Sequence, residues 1–431
     1  MNLRSFFLFF ILILSVYQDF PLVNVFGEIA RSPIVFLTPL LLLYLLKNSK
    51  IQISVYTKYL IFYILYLIII TIIYLLWIFI TKQQLFFLGE NIVTKSMKMA
   101  VYPLTILIYY QFIYTFLNKD TTRFETLFKS MLALEIFLII YLVFETYYSK
   151  TLEIFMPYLH SNEDKYWRIR LLSLEESWVG SIITIVTFTT IYLSIYLNKH
   201  NKTKLFVLSL SIFFILYYTI RSESKGYMLI FLLSTLPLVI KYFYNNKKIR
   251  KFLFLGTTVL VIFGFYVFSI LYDTILSQLY YSITFGTRFS SYLACLNNFV
   301  YNPFGVGWGP YLNYYLESLT SVVESSTMSS FELREVKGYL TTTKNLSSKT
   351  YFFDNLVFGG IFFLLFFYLF FLKRYFIFSK IKSSSLAFIR IPLLYIILSS
   401  IVYVTFAIKY EIWFFLAFID VLGAKLKSEK K

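Results

Sequence analysis

Apolar residues run along this chain in long blocks separated by short polar stretches. Blocks such as Tyr59 to Ile80 and Phe252 to Tyr272 reach the length of about 20 residues at which a helix crosses a hydrocarbon core with every backbone group bonded internally. Taken in order, the blocks predict spans at Ser5 to Phe20, Ile34 to Leu46, Tyr59 to Ile80, Ala100 to Leu117, Leu127 to Tyr148 and Trp178 to Leu197. Further spans are predicted at Leu205 to Ile220, Tyr227 to Tyr244, Phe252 to Tyr272, Phe352 to Leu372, Leu386 to Ile408 and Tyr410 to Ala424. The second and the last are short for a crossing. The expected fold is all-α, a polytopic membrane helix bundle of twelve spans. No internal repeat or Pro-rich or Ser-rich linker interrupts it, so residues 1–431 are read as one domain. The N-terminal block follows a charge, as a signal peptide would, but lacks a small-x-small cleavage site and is read as the first span.

Composition excludes an ordinary soluble domain: 59% of the residues are hydrophobic and 14% charged, against a usual charged fraction of about 25%. The net charge of +18 resembles a nucleic-acid signal until the lysines are placed on the spans. Lys47/Lys50/Lys58, Lys119/Arg123/Lys129, Lys199/Lys202/Lys204, Lys241/Lys247/Lys248/Arg250/Lys251, Lys373/Arg374/Lys380/Lys382 and Lys425/Lys427/Lys430/Lys431 all fall in alternate connections. Under the positive-inside rule that face, with both termini, is cytoplasmic, and no nucleic-acid partner is expected. The opposite face receives 149–177, Arg221 to Gly226, and 273–351, the longest polar stretch, between the ninth and tenth spans. Apolar residues at helical spacing around Tyr292, Leu293, Leu296 and Phe299 predict a folded cap there, with short helices lying on the membrane.

Basic residues on the external face stand against the topology rule and need a reason: Arg168, Arg170, Arg221, Lys225 and Arg288. Arg221 and Lys225 are four apart, so on a helical turn they would jointly face an anion; the alternative is that such side chains snorkel to lipid phosphates. Carboxylates on that face include Glu163, Asp164, Glu175, Glu176, Glu223 and Asp354. Glu175 and Glu176 suit the first turn of the span at Trp178, capped by Ser173 or Ser177, or else supply a general base near the arginines. Asp354-Asn355 likewise opens a span, and Gly359-Gly360 permits close packing. Arg288 precedes Asn302-Pro303-Phe304-Gly305-Val306-Gly307-Trp308-Gly309, read as an active-site loop in which Trp308 and Tyr311 to Tyr315 can stack on sugar rings. One cysteine, Cys295, and two histidines, His160 and His200, leave no expected metal site, and no phosphate-cradling Walker loop is present. No cofactor is expected.

From Arg168 to Gly360 the chain resembles the O-antigen polymerase and O-antigen ligase superfamily of bacterial surface-polysaccharide enzymes. The resemblance rests on Arg168-Ile169-Arg170 with Glu175-Glu176 downstream, on Ser222-Glu223-Ser224-Lys225, and most specifically on Arg288 followed by Pro303-Phe304-Gly305-Val306-Gly307. Lys225 stands where arginine is usual, losing bidentate phosphate geometry while keeping the charge. A His-Asn pair typical of the ligase branch is matched only in part, by Asp354-Asn355, which points towards polymerase. The resemblance implies a GT-C-like inverting glycosyltransferase of the bacterial inner membrane that joins undecaprenyl-pyrophosphate-linked oligosaccharides at the outer leaflet, with membrane lipid and a chain-length regulator protein as partners. It implies that Arg221, Lys225 and Arg288 hold the donor pyrophosphate and that Glu176 or Asp354 takes the acceptor's proton. Arg170 would orient a carboxylate or contact the second lipid-linked chain. Glu175, Gly305, Gly307, Trp308 and Asn355 would complete the substrate site. The rival readings are an O-antigen ligase that transfers polymer to lipid A core, and a flippase or other transporter. A transporter would carry charges at mid-membrane, whereas the charges here cluster at external span ends.

Overall fold

The computed structural model describes residues 3–47, 52–83, 85–119, 122–148, 154–155, 158–161, 169–245, 277, 279–343, 346–381 and 383–428. The ninth predicted span, Phe252 to Tyr272, lies outside them, as do Arg168, Glu163 and Asp164. The elements are α1 (Leu3–Val16), α2 (Val23–Phe26), α3 (Ile34–Lys47), α4 (Val55–Lys82), α5 (Ile92–Asn118), α6 (Thr122–Tyr147), α7 (Glu176–Tyr196), α8 (Asn201–Ser222) and α9 (Lys225–Asn245). They continue as α10 (Ile283–Tyr301), α11 (Tyr311–Val323), α12 (Arg334–Tyr339), α13 (Tyr351–Lys380), α14 (Ala387–Val402) and α15 (Tyr410–Ser428). Before α5, β1 (Phe86–Phe87) pairs antiparallel with β2 (Glu90–Asn91). Leu88 and Gly89 between them both have positive φ, as a two-residue hairpin turn of the primed kind requires.

Among the described residues six helices, α4, α5, α6, α7, α8 and α13, are long and apolar enough to cross a membrane, while α1, α3 and α14 are shorter apolar helices. The chain is thus a helical membrane protein. Its contacts divide it into two compact units, 1–64 with 100–234 and 366–431, and 65–99 with 235–365.

In the first unit α7 is the central helix. It packs on α6, α8, α14 and α15, and 89% of its most apolar window is buried, against 22% for its neighbour α8. Gly180 makes the packing possible: a Cβ there would collide with the Tyr227 ring and the Tyr395 hydroxyl. α1 lies against α6 and α15. Two predicted spans end early, α1 at Val16 rather than Phe20 and α14 at Val402 rather than Ile408. The residues released, Gln18, Asp19 and the stretch to Lys409, turn inward to polar contacts described below. Arg374, expected among solvated cytoplasmic cations, is 1% exposed; it donates to the Tyr110 hydroxyl at 2.6 Å, sits 3.7 Å from the Tyr56 ring centroid, and lies 3.9 Å from Asp420.

The second unit contains α10, α11 and α12, the helices of the long polar stretch 273–351. Contrary to the expected apolar packing face, α10 turns its small residues inward, Gly286, Thr287, Ser290, Ser291, Ala294 and Cys295, and packs against α11 and α12. Gly286 lets the Glu332 carbonyl press on the helix. Leu296 of the predicted stripe faces outward, as does the nearby Val300.

Candidate active site

In the first unit, connections that charge parity assigns to one face meet around the N-terminal end of α7. Glu145, in the last turn of α6, accepts from the backbone N–H groups of Arg170 (2.8 Å) and Leu171 (3.0 Å), pinning the strand of chain that leads into α7. Gln18 then donates its own backbone N–H to the Leu172 carbonyl at 2.9 Å. The Gln18 side-chain oxygen accepts from Ser173 Oγ (3.2 Å) and from Lys409 Nζ (2.9 Å). Lys409 also donates to the Trp178 carbonyl at 3.3 Å, lies 4.6 Å from the centre of the Trp178 ring and stands 4.0 Å from Glu411. Glu411 accepts from Ser181 Oγ at 2.8 Å. Lys409 and Glu411 are 0% and 2% exposed, a buried ion pair whose charges are tolerated because hydrogen bonds replace water around them. Burial pushes the Lys409 ammonium down, against the opposing pull of Glu411 and Glu175.

A second clasp ties the same connections. Asp19 is fully buried and bonded to His160 Nδ1 at 2.8 Å, to the Ser161 hydroxyl, and to Arg31 at 3.4 Å. Burial pushes the Asp19 carboxyl up, yet the hydrogen bonds from His160 and Ser161 outweigh it and hold the group below its usual range. Burial likewise pushes His160 down, more than Asp19 raises it. Arg170 acts electrostatically on Asp19, His160 and Glu145 and donates to the Leu174 carbonyl at 3.4 Å.

On another side of the α7 start, the Tyr218 hydroxyl donates to the Glu176 carbonyl, and Tyr395 and Tyr403 pair through their hydroxyls. These tyrosines support the junction of α8 and α9. The junction is not one continuous helical turn: Glu223 takes the left-handed conformation (φ 51°), so Arg221 ends one helix and Lys225 opens the next. Arg221, Glu223 and Lys225 are exposed while Ser222 and Ser224 are buried, and the Arg221 guanidinium lies 5.9 Å from the centre of the Tyr217 ring. Glu175 is exposed and Glu176 half-buried. The N-cap position of α7 is Glu175 itself, with no side-chain cap, so neither Ser173 nor Ser177 plays the expected capping part. Ser173 turns instead to Gln18.

In the second unit, the Gly-rich loop completes a broken helix. α13 kinks at Gly360, whose φ of 53° and ψ of −135° interrupt its hydrogen bonding. The loop fills the interruption: Val306 donates to the Val357 carbonyl and Gly307 to the Phe358 carbonyl, both at 2.9 Å, while Ile361 donates to the Pro303 carbonyl at 2.8 Å. Gly305 and Gly307 have φ of 79° and 74°, and a Cβ on either would strike the backbone of Phe358 or Thr71. Trp308 is 4% exposed, its N–H on Thr71 Oγ1 and its carbonyl on Ser96 Oγ, both at 2.9 Å. Gly305, Gly307 and Trp308, expected as substrate contacts, are therefore placed inside the protein, where packing accounts for their geometry.

Arg288, half-buried on α10, is hydrogen-bonded to the Tyr292 hydroxyl. Tyr292 stacks on Phe353 at 4.5 Å and feels the charge of Asp354. Asp354 accepts from the Ser348 N–H at 2.7 Å, and Thr350 Oγ1 accepts from the Phe353 N–H at 3.2 Å, so both secure the entry to α13. Asn355 donates to the Tyr351 carbonyl at 2.9 Å within its own helix.

Sequence reasoning passed over Gln18, Asp19, Glu145, Lys409 and Glu411. Lys409 carried the available signal, since span parity puts it on the same face as the other anomalous cations. One further acid corrects the expectation that charges sit only at span ends: Glu135, buried midway along α6, accepts from Ser211 Oγ of α8 at 2.6 Å. No group of three or more metal-ligating side chains occurs among the described residues. No family model matches the chain, and no curated protein matches it in sequence.

Proposed function

We propose that the chain is an integral-membrane glycosyltransferase of the polymerase type, joining lipid-pyrophosphate-linked oligosaccharide units. The observation that carries this reading is the gathering, at the N-terminal end of α7, of Arg170, Glu175, Lys409 and Glu411, with the Tyr218 hydroxyl tying that end to α8, the helix that closes on the exposed Arg221. Exposed cations at helix ends suit a diphosphate, which departs with developing negative charge that fixed cations stabilise. Attack opposite that leaving group inverts the anomeric carbon, and the phosphate ester itself supplies the bond energy. The proposed donor and acceptor are undecaprenyl-pyrophosphate-linked, and the product is O-antigen or a related surface polysaccharide. The accompanying topology has twelve spans in the bacterial inner membrane, both termini cytoplasmic, a GT-C-like bundle and the site facing outward, with a chain-length regulator as partner.

The test is polymer length in a strain whose own copy is deleted. Arg221→Ala and Arg288→Ala are expected to abolish the polymer ladder while single capped units remain, and Arg168→Ala to leave the ladder in place. A normal ladder from Arg221→Ala and Arg288→Ala overturns the assignment. Loss of single units as well, on deletion, indicates a ligase. Glu135 favours a second reading, because an acid held in mid-helix is a feature of transporters. On that reading, deletion strands the lipid-linked substrate on the inner leaflet instead of the outer.

A further inference from the structure

α1 buries Leu8, Ile11 and Leu12 against the bundle and leaves Leu3, Phe6, Phe7 and Phe10 exposed, at the i, i+3, i+4, i+7 spacing of one helical stripe. That stripe is not a flat surface. With Arg4 and with Phe116 of α5 it lines an open groove of about 400 Å³, within the range of about 300–1,000 Å³ that small-molecule sites occupy. The groove is apolar throughout, so Arg4 lends it only a carbon stem and keeps the guanidinium outside. Phe116 carries the guanidinium of the buried Arg123 at 4.5 Å from its ring centre and stacks on Phe112, which in turn meets Tyr44 of α3 edge-on. The exposed Lys47 and Lys119 follow three residues beyond Tyr44 and Phe116, where α3 and α5 end. The acid in the first turn of α6, Glu125, is already paired with Lys129 and Lys199. A hydrocarbon slot thus opens at the basic end of the first unit, the face that the positive-inside rule assigns to the cytoplasm.

We propose that this groove is a binding site for one anionic glycerophospholipid of the adjoining leaflet, with an acyl chain along Leu3, Phe6, Phe7 and Phe10 and the phosphate at Arg4. The occupant follows from the two halves of the site. A free phosphate has nothing to put in the slot, and a neutral lipid leaves the cations at its mouth unused, whereas an anionic lipid satisfies both. A second copy of the chain is disfavoured, because a two-fold contact on this stripe sets Arg4 beside its own copy. α1 has only 14 residues, fewer than the about 20 of a full crossing, so a lipid seated along it also extends the apolar surface that holds it against α5. Binding to the folded chain alone stabilises that chain by mass action. The site is independent of the transferase reading and stands or falls without it.

In the experiment, the full chain is stripped of lipid in detergent and titrated with phosphatidylglycerol or with phosphatidylcholine of identical acyl chains, and bound lipid is counted by native mass spectrometry. One phosphatidylglycerol should bind more tightly than any phosphatidylcholine and resist competition by glycerol phosphate, which carries the head without the chain. Arg4→Gln is expected to weaken that first phosphatidylglycerol about fivefold and to leave phosphatidylcholine unaffected. Arg4 is exposed, so this variant keeps the fold. Phe7→Asp, which sets a carboxylate in the slot, should remove the tight lipid altogether. Lys225→Gln, an exposed cation at the junction of α8 and α9, should change nothing. Equal retention of the two lipids, displacement by glycerol phosphate, unchanged binding in Arg4→Gln or an equal loss in Lys225→Gln overturns the proposal. So does a dimer that Phe7→Asp breaks, since the occupant is then a second chain.

Discussion

A carboxylate inside a protein persists only where neighbours replace its lost hydration, and Asp19 does so with three partners, His160, Ser161 and Arg31. His160 in turn is held in its neutral form, because burial lowers it by more than Asp19 raises it. The two groups therefore act in different pH ranges. An unfolded histidine binds a proton below about 6.5, whereas the native His160 resists until lower pH, so the unfolded state takes up the proton first and stability falls with acidification from that point. Asp19, also depressed, contributes stability above the ordinary carboxylate range and gives it up only in stronger acid. Between pH 7 and 5 the melting temperature of the detergent-solubilised protein should drop, and His160→Asn, which cannot titrate, should flatten that slope. Equal slopes for the two proteins would show that His160 is not the group responsible.

Among the elements, the interrupted helix is the clearest case of a structure that sequence pattern could not resolve. In sequence, Gly305 and Gly307 read as a substrate-approaching loop and Gly360 as close packing, and pattern alone does not separate the two uses, since both need the same residue type. Each of these glycines has a positive φ, with backbone atoms where its Cβ would be. Gly360→Ala should accordingly cost at least about 2 kcal/mol, from a backbone conformation open essentially to glycine alone together with a collision with Pro303. A lowered melting temperature and poor recovery of folded protein check this; wild-type behaviour would mean that the kink relaxes. Apolar runs were enough to locate α4, α6, α7 and α8 closely at both ends, and α5 and α13 at one end each, because burial in lipid constrains length and composition together; α5 starts at Ile92 rather than Ala100 and α13 runs on to Lys380 rather than Leu372. They failed at the ends of α1 and α14. Gln18, Asp19 and Lys409 leave their helices for partners on distant connections, and a one-dimensional pattern does not encode who those partners are. The cations were partly legible for the same reason: Arg170 and Arg221 stood out as misplaced charges, while Lys409 was hidden between two apolar runs.

At the scale of the molecule, the proposed chemistry depends on which side of the membrane the start of α7 faces. α8 provides the measurement, since it joins the Asn198–Asn201 connection to the Arg221–Lys225 junction. Its 22 residues span about 33 Å at the usual helical rise, enough to cross a hydrocarbon core of about 30 Å. Its two ends should therefore open on opposite sides. The chain offers a simple background for testing this, because its single thiol, Cys295, is buried on the inward face of α10 among other small residues, where serine of nearly the same volume is expected to fit. In a Cys295→Ser background, Glu223→Cys should react with a membrane-impermeant maleimide in intact spheroplasts, and Lys202→Cys only after permeabilisation. Both positions are exposed, so failure to label cannot be ascribed to burial. The reverse pattern would place Arg221, Lys225 and the whole α7 cluster on the cytoplasmic side. A transferase acting on outward-facing lipid-linked sugars would then have no route to its substrate, and the basic connections at the other end of α8 would lose their explanation in the positive-inside rule.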